Sequence, residues 1–174
     1  IVNKEHLLAN SEGVIVLFTE KSDVGHALMG SNPERGHQLL TEYQAVFEDR
    51  LYFAIKRTRR VGEDTFIEQA ILAGQRHGIA SVAHNDVRFL VEDDFDAHEA
   101  RVCIASSHVL ADPNRPHDYS SEQYLKTQAQ MVELFSDIPQ VVENTVILAQ
   151  RCNVTLTLGI NVLPEFPVPE GETI

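Results

Sequence analysis

The sequence is short of cysteine: two in 174 residues, Cys103 and Cys152, far apart and without a CxxC pairing. That excludes a disulfide-dense secreted scaffold and a zinc ribbon, and it fits reduced thiols in the cytosol. No apolar run approaches the roughly 20 residues that a membrane span needs, and no signal peptide opens the chain. Basic residues are also scarce, 14 against 26 acidic ones, for a formal charge of −12. Such a surface repels phosphate backbones, which excludes autonomous binding to DNA or RNA. Also missing are a phosphate-cradling glycine loop, a GxGxxG, a nucleophile elbow, an internal repeat and any low-complexity block, so no catalytic motif declares itself.

What remains is the composition of a soluble globular domain, with 43% hydrophobic and 23% charged residues. The length suits one domain, or one domain with a tail. A chain that opens Ile1-Val2-Asn3-Lys4, with no initiator methionine, reads as a piece of something longer.

Residues 13–19 form a short continuous apolar run, predicted as a strand buried on both faces. From Pro33 to Phe47 the spacing of Leu39, Leu40, Tyr43, Val46 and Phe47 predicts an amphipathic helix, with Asn32 as N-cap and Pro33 at its first position. A second strand is expected over 51–55, followed by the basic run Lys56-Arg57-Thr58-Arg59-Arg60 and Gly62. The next helix buries Phe66, Ile67, Ala70, Ile71 and Gly74, and Gly78 closes it in a left-handed cap. A third strand over 79–83 completes two βαβ units, hence right-handed crossovers and a parallel sheet. Three strands are too few for a barrel.

Beyond residue 90 the pattern turns helical, over 93–106, 120–126, 129–135 and 139–152. Ser120 with Gln123, Thr127 with Gln130 and Asp137 with Gln140 are spaced as capping boxes. Alternation of Val154, Leu156 and Leu158 predicts a half-exposed strand over 153–158. The proline-rich tail from Gly159, with Pro164, Pro167 and Pro169, reads as a linker or as the extended entrance to another domain.

Parallel βα sheets place their sites at the carboxyl ends of the strands, here 19–22, 56–60 and 84–88, all on one rim. His84 and Asp86 there could ligate a metal, or Asp86 could pair locally, since one imidazole and one carboxylate do not complete a site. The arginines at 57, 59 and 60 could clamp phosphate, or serve local salt bridges in a solvated loop. His98-Glu99 begins like a zinc-protease pattern, but the second histidine it requires is Val102, so the pattern is rejected. His98, Arg101 and Cys103 are then assigned to a structural helix, with His108 exposed in the loop that follows.

Four segments carry a resemblance: Ser81-Val82-Ala83-His84-Asn85-Asp86-Val87-Arg88-Phe89, residues 94–105, Tyr119-Ser120-Ser121-Glu122-Gln123-Tyr124-Leu125-Lys126, and residues 144–154. In order, from about Glu12 to Pro169, the chain resembles the alpha subunit of bacterial DNA polymerase III. Pro164-Glu165-Phe166-Pro167 is similar to that family's entry into the polymerase palm. The resemblance implies the later half of a polymerase and histidinol phosphatase (PHP) domain over 1–90, its helical extension over 91–158, and a linker toward the palm over 159–174. The implied fold is α/β, part of a distorted seven-stranded βα barrel with parallel strands.

In some family members the rim of that barrel holds metals. The paired histidines opening that metal motif should lie upstream of Ile1. The Ser-Gly-Cys that ends a strand in metal-binding members is Phe18-Thr19-Glu20 here, followed by Lys21, and their Asn-Asp-x-His is Asn85-Asp86-Val87-Arg88. The expectation is therefore no bound metal: a vestigial ligand position at Asp86, ligand positions lost at Arg88 and Glu20, and His84 alone favouring residual affinity. Asp86 is expected to be neutralised by Arg88, by Lys21 or by an arginine of the 57–60 cluster. The implied function is a noncatalytic scaffold in DNA replication that docks the proofreading exonuclease subunit. Nucleotidyl transfer by a DNA-directed DNA polymerase, its magnesium and any contact with DNA would reside elsewhere in the parent chain. The rivals are a metal-dependent PHP phosphoesterase acting on nucleic acid ends or pyrophosphate, and an acidic helical adaptor. An uncovered sheet edge is expected to make the fragment self-associate.

Overall fold

The computed structural model describes residues 2–159; Ile1 and residues 160–174, which include the three prolines of the expected linker, lie outside the described residues. Among the described residues seven α-helices and three strands follow in the order α1 (Lys4–Ala9), β1 (Val16–Phe18), α2 (Asp23–Met29), α3 (Pro33–Phe47), β2 (Leu51–Ile55), α4 (Glu63–His77), β3 (Ala80–Ala83), α5 (Phe95–Ser106), α6 (Gln128–Leu134) and α7 (Gln140–Arg151), with one turn of 3-10 helix, Glu92–Asp94, leading into α5. The strands lie in the order β1-β2-β3, all parallel, with Val16 opposite Leu51 and Tyr52 opposite Ala80. The chain is thus mixed α/β, a partial βα barrel followed by a helical extension.

Local chemistry explains most of the boundaries. Pro33, whose missing N–H costs nothing in a first turn, starts α3. Gly78, at φ +69°, ends α4 in a conformation that a side chain would strain. Gly25 in α2 meets the loop after β1 so closely that a Cβ there would lie 2.1 Å from the Thr19 carbonyl oxygen; only glycine lets helix and loop touch. The short helices α1 and α2, which the sequence reading did not single out, are capped by the side chains of Asn3 and Ser22.

One face of the sheet carries Phe18, Leu51, Phe53 and Ile55 into a core shared with Leu28, Leu40, Phe47, Phe66 and Phe135. The opposite face holds a small cluster, Tyr52, Ala54 and Val82, partly covered by Leu148 of α7. α7 also seals the outer edge of β3. Asn144 Nδ2 donates to the Ser81 carbonyl at 2.9 Å, and Thr145 Oγ1 lies 3.1 Å from the Ala83 nitrogen and 3.3 Å from its oxygen. These side chains take the ladder positions of a further strand.

Several expectations are corrected. The strand expected over 13–19 shrinks to three residues and is not buried on both faces: Leu17, on the same face as its register partner Tyr52, is 45% exposed, because α7, which covers that face, packs over β3 at the far side of the sheet. Residues 120–126 are not helical. Ser120 N does bond Gln123 Oε1, but the segment's backbone is spent elsewhere, Arg88 N on the Gln123 carbonyl and Leu125 N on that of Phe89. Asp137 does not cap α7; it is drawn to Arg57, and Pro139 holds the cap position. Residues 153–158 form no strand, since no partner strand reaches them among the described residues, and Val154, Leu156 and Leu158 are 82%, 74% and 84% exposed. The Thr127–Gln130 capping box forms as expected.

Candidate functional site

The carboxyl ends of the three strands converge on one polar cluster. Glu20 follows β1, Lys56 follows β2 directly, and His84, Asn85, Asp86 and Arg88 follow β3. Lys56 is only 6% exposed, and its ammonium lies 2.7 Å from Glu20 Oε1 and 3.2 Å from Asp86 Oδ2. Arg88 Nη2 donates to Asp86 Oδ1 at 2.7 Å. Gln123 Nε2, from the segment between α5 and α6, donates to Asp86 Oδ2 at 3.0 Å and to its carbonyl at 3.1 Å. Two carboxylates therefore face two cations, and the cluster is neutral as a whole.

Protonation follows this arrangement. Burial alone would raise the Glu20 carboxyl, but the hydrogen bond and charge of Lys56, with Lys21 adding a little, hold it below the usual range. Burial pushes the His84 imidazole down, and the Lys56 cation adds to this; Asp86 and Glu20 pull the other way without reversing it. Asp86 N donates to His84 Nδ1 at 3.3 Å, which leaves the His84 proton on Nε2. Asp86 itself sits at φ +45°, in the left-handed region, turned back toward the strand ends.

Of the expected neutralising partners, Arg88 is present at Asp86, whereas Lys21 and the arginines at 57, 59 and 60 are not. Two participants in the network are not evident from the sequence. The sequence places Lys56 on the rim, within the run 56–60, but names no charge partner for it; a cation directly after a wholly apolar strand is the available signal. Gln123 was read as a helix cap. Two of the three arginines turn to ion pairs: Arg57 grips Asp137 with both nitrogens at 2.6 and 2.7 Å and covers the Phe135 ring, and Arg59 meets Glu122 at 3.0 Å. These pairings favour the salt-bridge reading over a phosphate clamp. His98, Arg101 and Cys103 belong to α5 as expected, with His98 and Cys103 buried and Arg101 exposed, while His108 is half-buried rather than exposed.

These residues do not fit a divalent metal. The one surviving carboxylate position is already occupied by three donors, two of them cationic; His84 Nε2 is buried without a hydrogen-bond partner, and a single imidazole nitrogen beside the Lys56 ammonium does not complete a site. Among the described residues no group of three or more His, Cys, Asp or Glu side chains is arranged to hold a metal ion.

Fold and rim together define a partial βα-barrel unit whose rim carries an internal ion-pair network. Across its whole length the chain is homologous to a segment of DNA polymerase III subunit alpha. It is 43% identical to that protein of Pseudomonas fluorescens over 175 aligned positions, 43% to that of Pseudomonas aeruginosa over 98% of this chain, and 40% to that of Escherichia coli K12 over 99%. The chain spans about 15% of the length of these curated relatives. No family model matches it. No helix among the described residues is long and apolar enough to cross a membrane.

Proposed function

We propose that the chain works in DNA replication as part of the alpha subunit of a bacterial replicative polymerase, in the cytoplasm. It serves there as a noncatalytic scaffold of PHP type that docks the proofreading exonuclease subunit. The names of the relatives support the setting, and the rim supports the absence of chemistry. The polymerase active site, its magnesium and the contacts with DNA belong to the remainder of the parent chain. Among the described residues β1 has a partner strand on one side only, which supports self-association when this segment is isolated.

The observation that carries the scaffold reading is the Asp86 carboxylate held by Lys56, Arg88 and Gln123. A hydrolytic centre needs several ligands and a water made acidic by the metal. Here a divalent ion would meet two fixed cations, and each unit-charge repulsion at about 4 Å costs on the order of 4 kcal/mol at an effective dielectric near 20.

Elemental analysis after dialysis from manganese or zinc, with turnover of a generic phosphoester, tests this. The expected outcome is substoichiometric metal and no turnover. Stoichiometric metal, with activity abolished by Asp86→Ala, would replace the scaffold by the phosphoesterase. Docking is tested separately, by measuring binding of the purified exonuclease subunit to the intact parent chain and to a parent lacking residues 1–158. Equal affinity would remove this region from the docking surface.

A further inference from the structure

The twenty-one residues between α5 and α6, 107–127, contain no helix or strand, yet their second half is fastened across the rim. Ser120 Oγ donates to the Thr58 carbonyl at 2.6 Å. Asn85 Nδ2 donates to the carbonyls of Glu122 and Tyr124 at 2.9 and 2.7 Å. Arg88 N bonds the Gln123 carbonyl at 2.8 Å, and Leu125 N bonds that of Phe89 at 3.1 Å. Gln123, 1% exposed, reaches under the segment to Asp86. Upstream, Arg115 pairs with the buried Glu99 of α5, and Tyr119 packs edge-on against His98 at 4.6 Å while the Arg88 guanidinium covers its ring at 5.3 Å.

Nearly all these ties are polar. The aliphatic side chain within the fastened stretch, Leu125, is 58% exposed. A segment held this way contributes little to the apolar core, and such elements open at lower free energy than the sheets and helices beneath them.

We propose that residues 119–126 form an internal strap that closes the rim, with Gln123 as its latch on Asp86 and the Arg115–Glu99 pair as its upstream anchor, and that the strap opens as a unit while the sheet stays folded. In the closed state the chain is its own ligand: an amide occupies the acceptor positions that a cationic or hydrogen-bonding solute would need. In the open state Lys56, whose side chain is 7% exposed in the closed one, becomes accessible beside the already part-exposed Glu20 and Asp86. The closure depends only on these contacts, so it stands or falls separately from the scaffold role.

The test reads access to the Lys56 ammonium in the 174-residue chain with a water-soluble amine-acylating reagent, located by mass spectrometry, with exposed Lys21 as internal control. Amide hydrogen exchange is followed in parallel over 119–126 and over 51–55. In Gln123→Ala, Lys56 labelling should rise at least tenfold and exchange over 119–126 at least tenfold, with Lys21 labelling and exchange over 51–55 changed less than twofold. Arg115→Ala should give the same pattern at a smaller amplitude. Unchanged Lys56 labelling, or an increase matched over 51–55, would overturn the strap. Should both variants unfold, wild type in a urea series decides. Labelling of Lys56 and exchange over 119–126 must rise at lower urea than exchange over 51–55; coincident rises would overturn the proposal.

Discussion

β2 contributes to two regions that stabilise themselves in opposite ways. Its Phe53 and Ile55 lie in the apolar core; its next residue, Lys56, is almost as deeply buried but charged, and belongs to the rim. The core sums many weak, non-directional contacts, so its parts are graded in importance. The rim is a small network in which Glu20 and Asp86 balance Lys56 and Arg88; Lys56 is its one deeply buried charge, and removing that cation leaves Glu20 partly buried and unmatched. One region is robust in kind and costly in volume, the other compact and intolerant of imbalance.

The largest effect should come from the core. Phe53→Ala removes a ring touching Phe18 and Phe66, and should lower stability by about 3–5 kcal/mol in urea titration. Lys56→Ala should cost about 3 kcal/mol by stranding Glu20, while Asp86 keeps Arg88 and Gln123. The pairwise replacement Lys56→Met with Glu20→Leu should recover most of that loss, a recovery that no second core substitution offers Phe53→Ala. If the double variant is as unstable as Lys56→Ala, the rim does not behave as a balanced network. Thr145→Val, which keeps the shape of the side chain but strips the bond from Ala83 N, should cost roughly 1–2 kcal/mol and raise amide exchange at Ala83.

The smallest effect is the pH dependence of the rim. His84 takes up its proton near pH 6.5 when unfolded but at lower pH when folded, so the unfolded state binds more protons between those values. The stability it contributes is complete above about pH 6.5 and is lost as pH falls toward the folded value, with a slope no steeper than about 1.4 kcal/mol per pH unit. His84→Gln should flatten the profile of urea midpoints between pH 7 and 5. His77 and His98, both also pushed down by burial, keep it from becoming level. Glu20 acts with the same sign lower down: its folded pKa lies below 4.5, so its stabilisation fades as pH falls below that value.

The elements legible in the sequence are those whose cause is local. β2 is wholly apolar, α3 is started by Pro33, and α4 is closed by Gly78, so their bounds need no tertiary information. The rim residues 84–88 were legible as a place, because parallel strands gather their carboxyl ends. Their wiring was not: Lys56 lies 30 residues from Asp86 and Gln123 lies 37. Residues 120–126 carry a genuine capping signal, overridden because Asn85 and Arg88 offer that backbone better partners. Residues 153–158 alternate as a strand should, but alternation specifies a face and does not supply a neighbour.

The seal on β3 has a consequence for synthesis. Asn144 and Thr145 lie 62 or 63 residues beyond the positions they cover. At ribosomal rates of about 5–20 residues per second, an emerging chain carries an unsealed β3 edge for roughly 3–12 seconds before α7 exists. During that interval the nascent sheet is open to pairing with whatever strand is near, and a pause between codons 84 and 144 would prolong it.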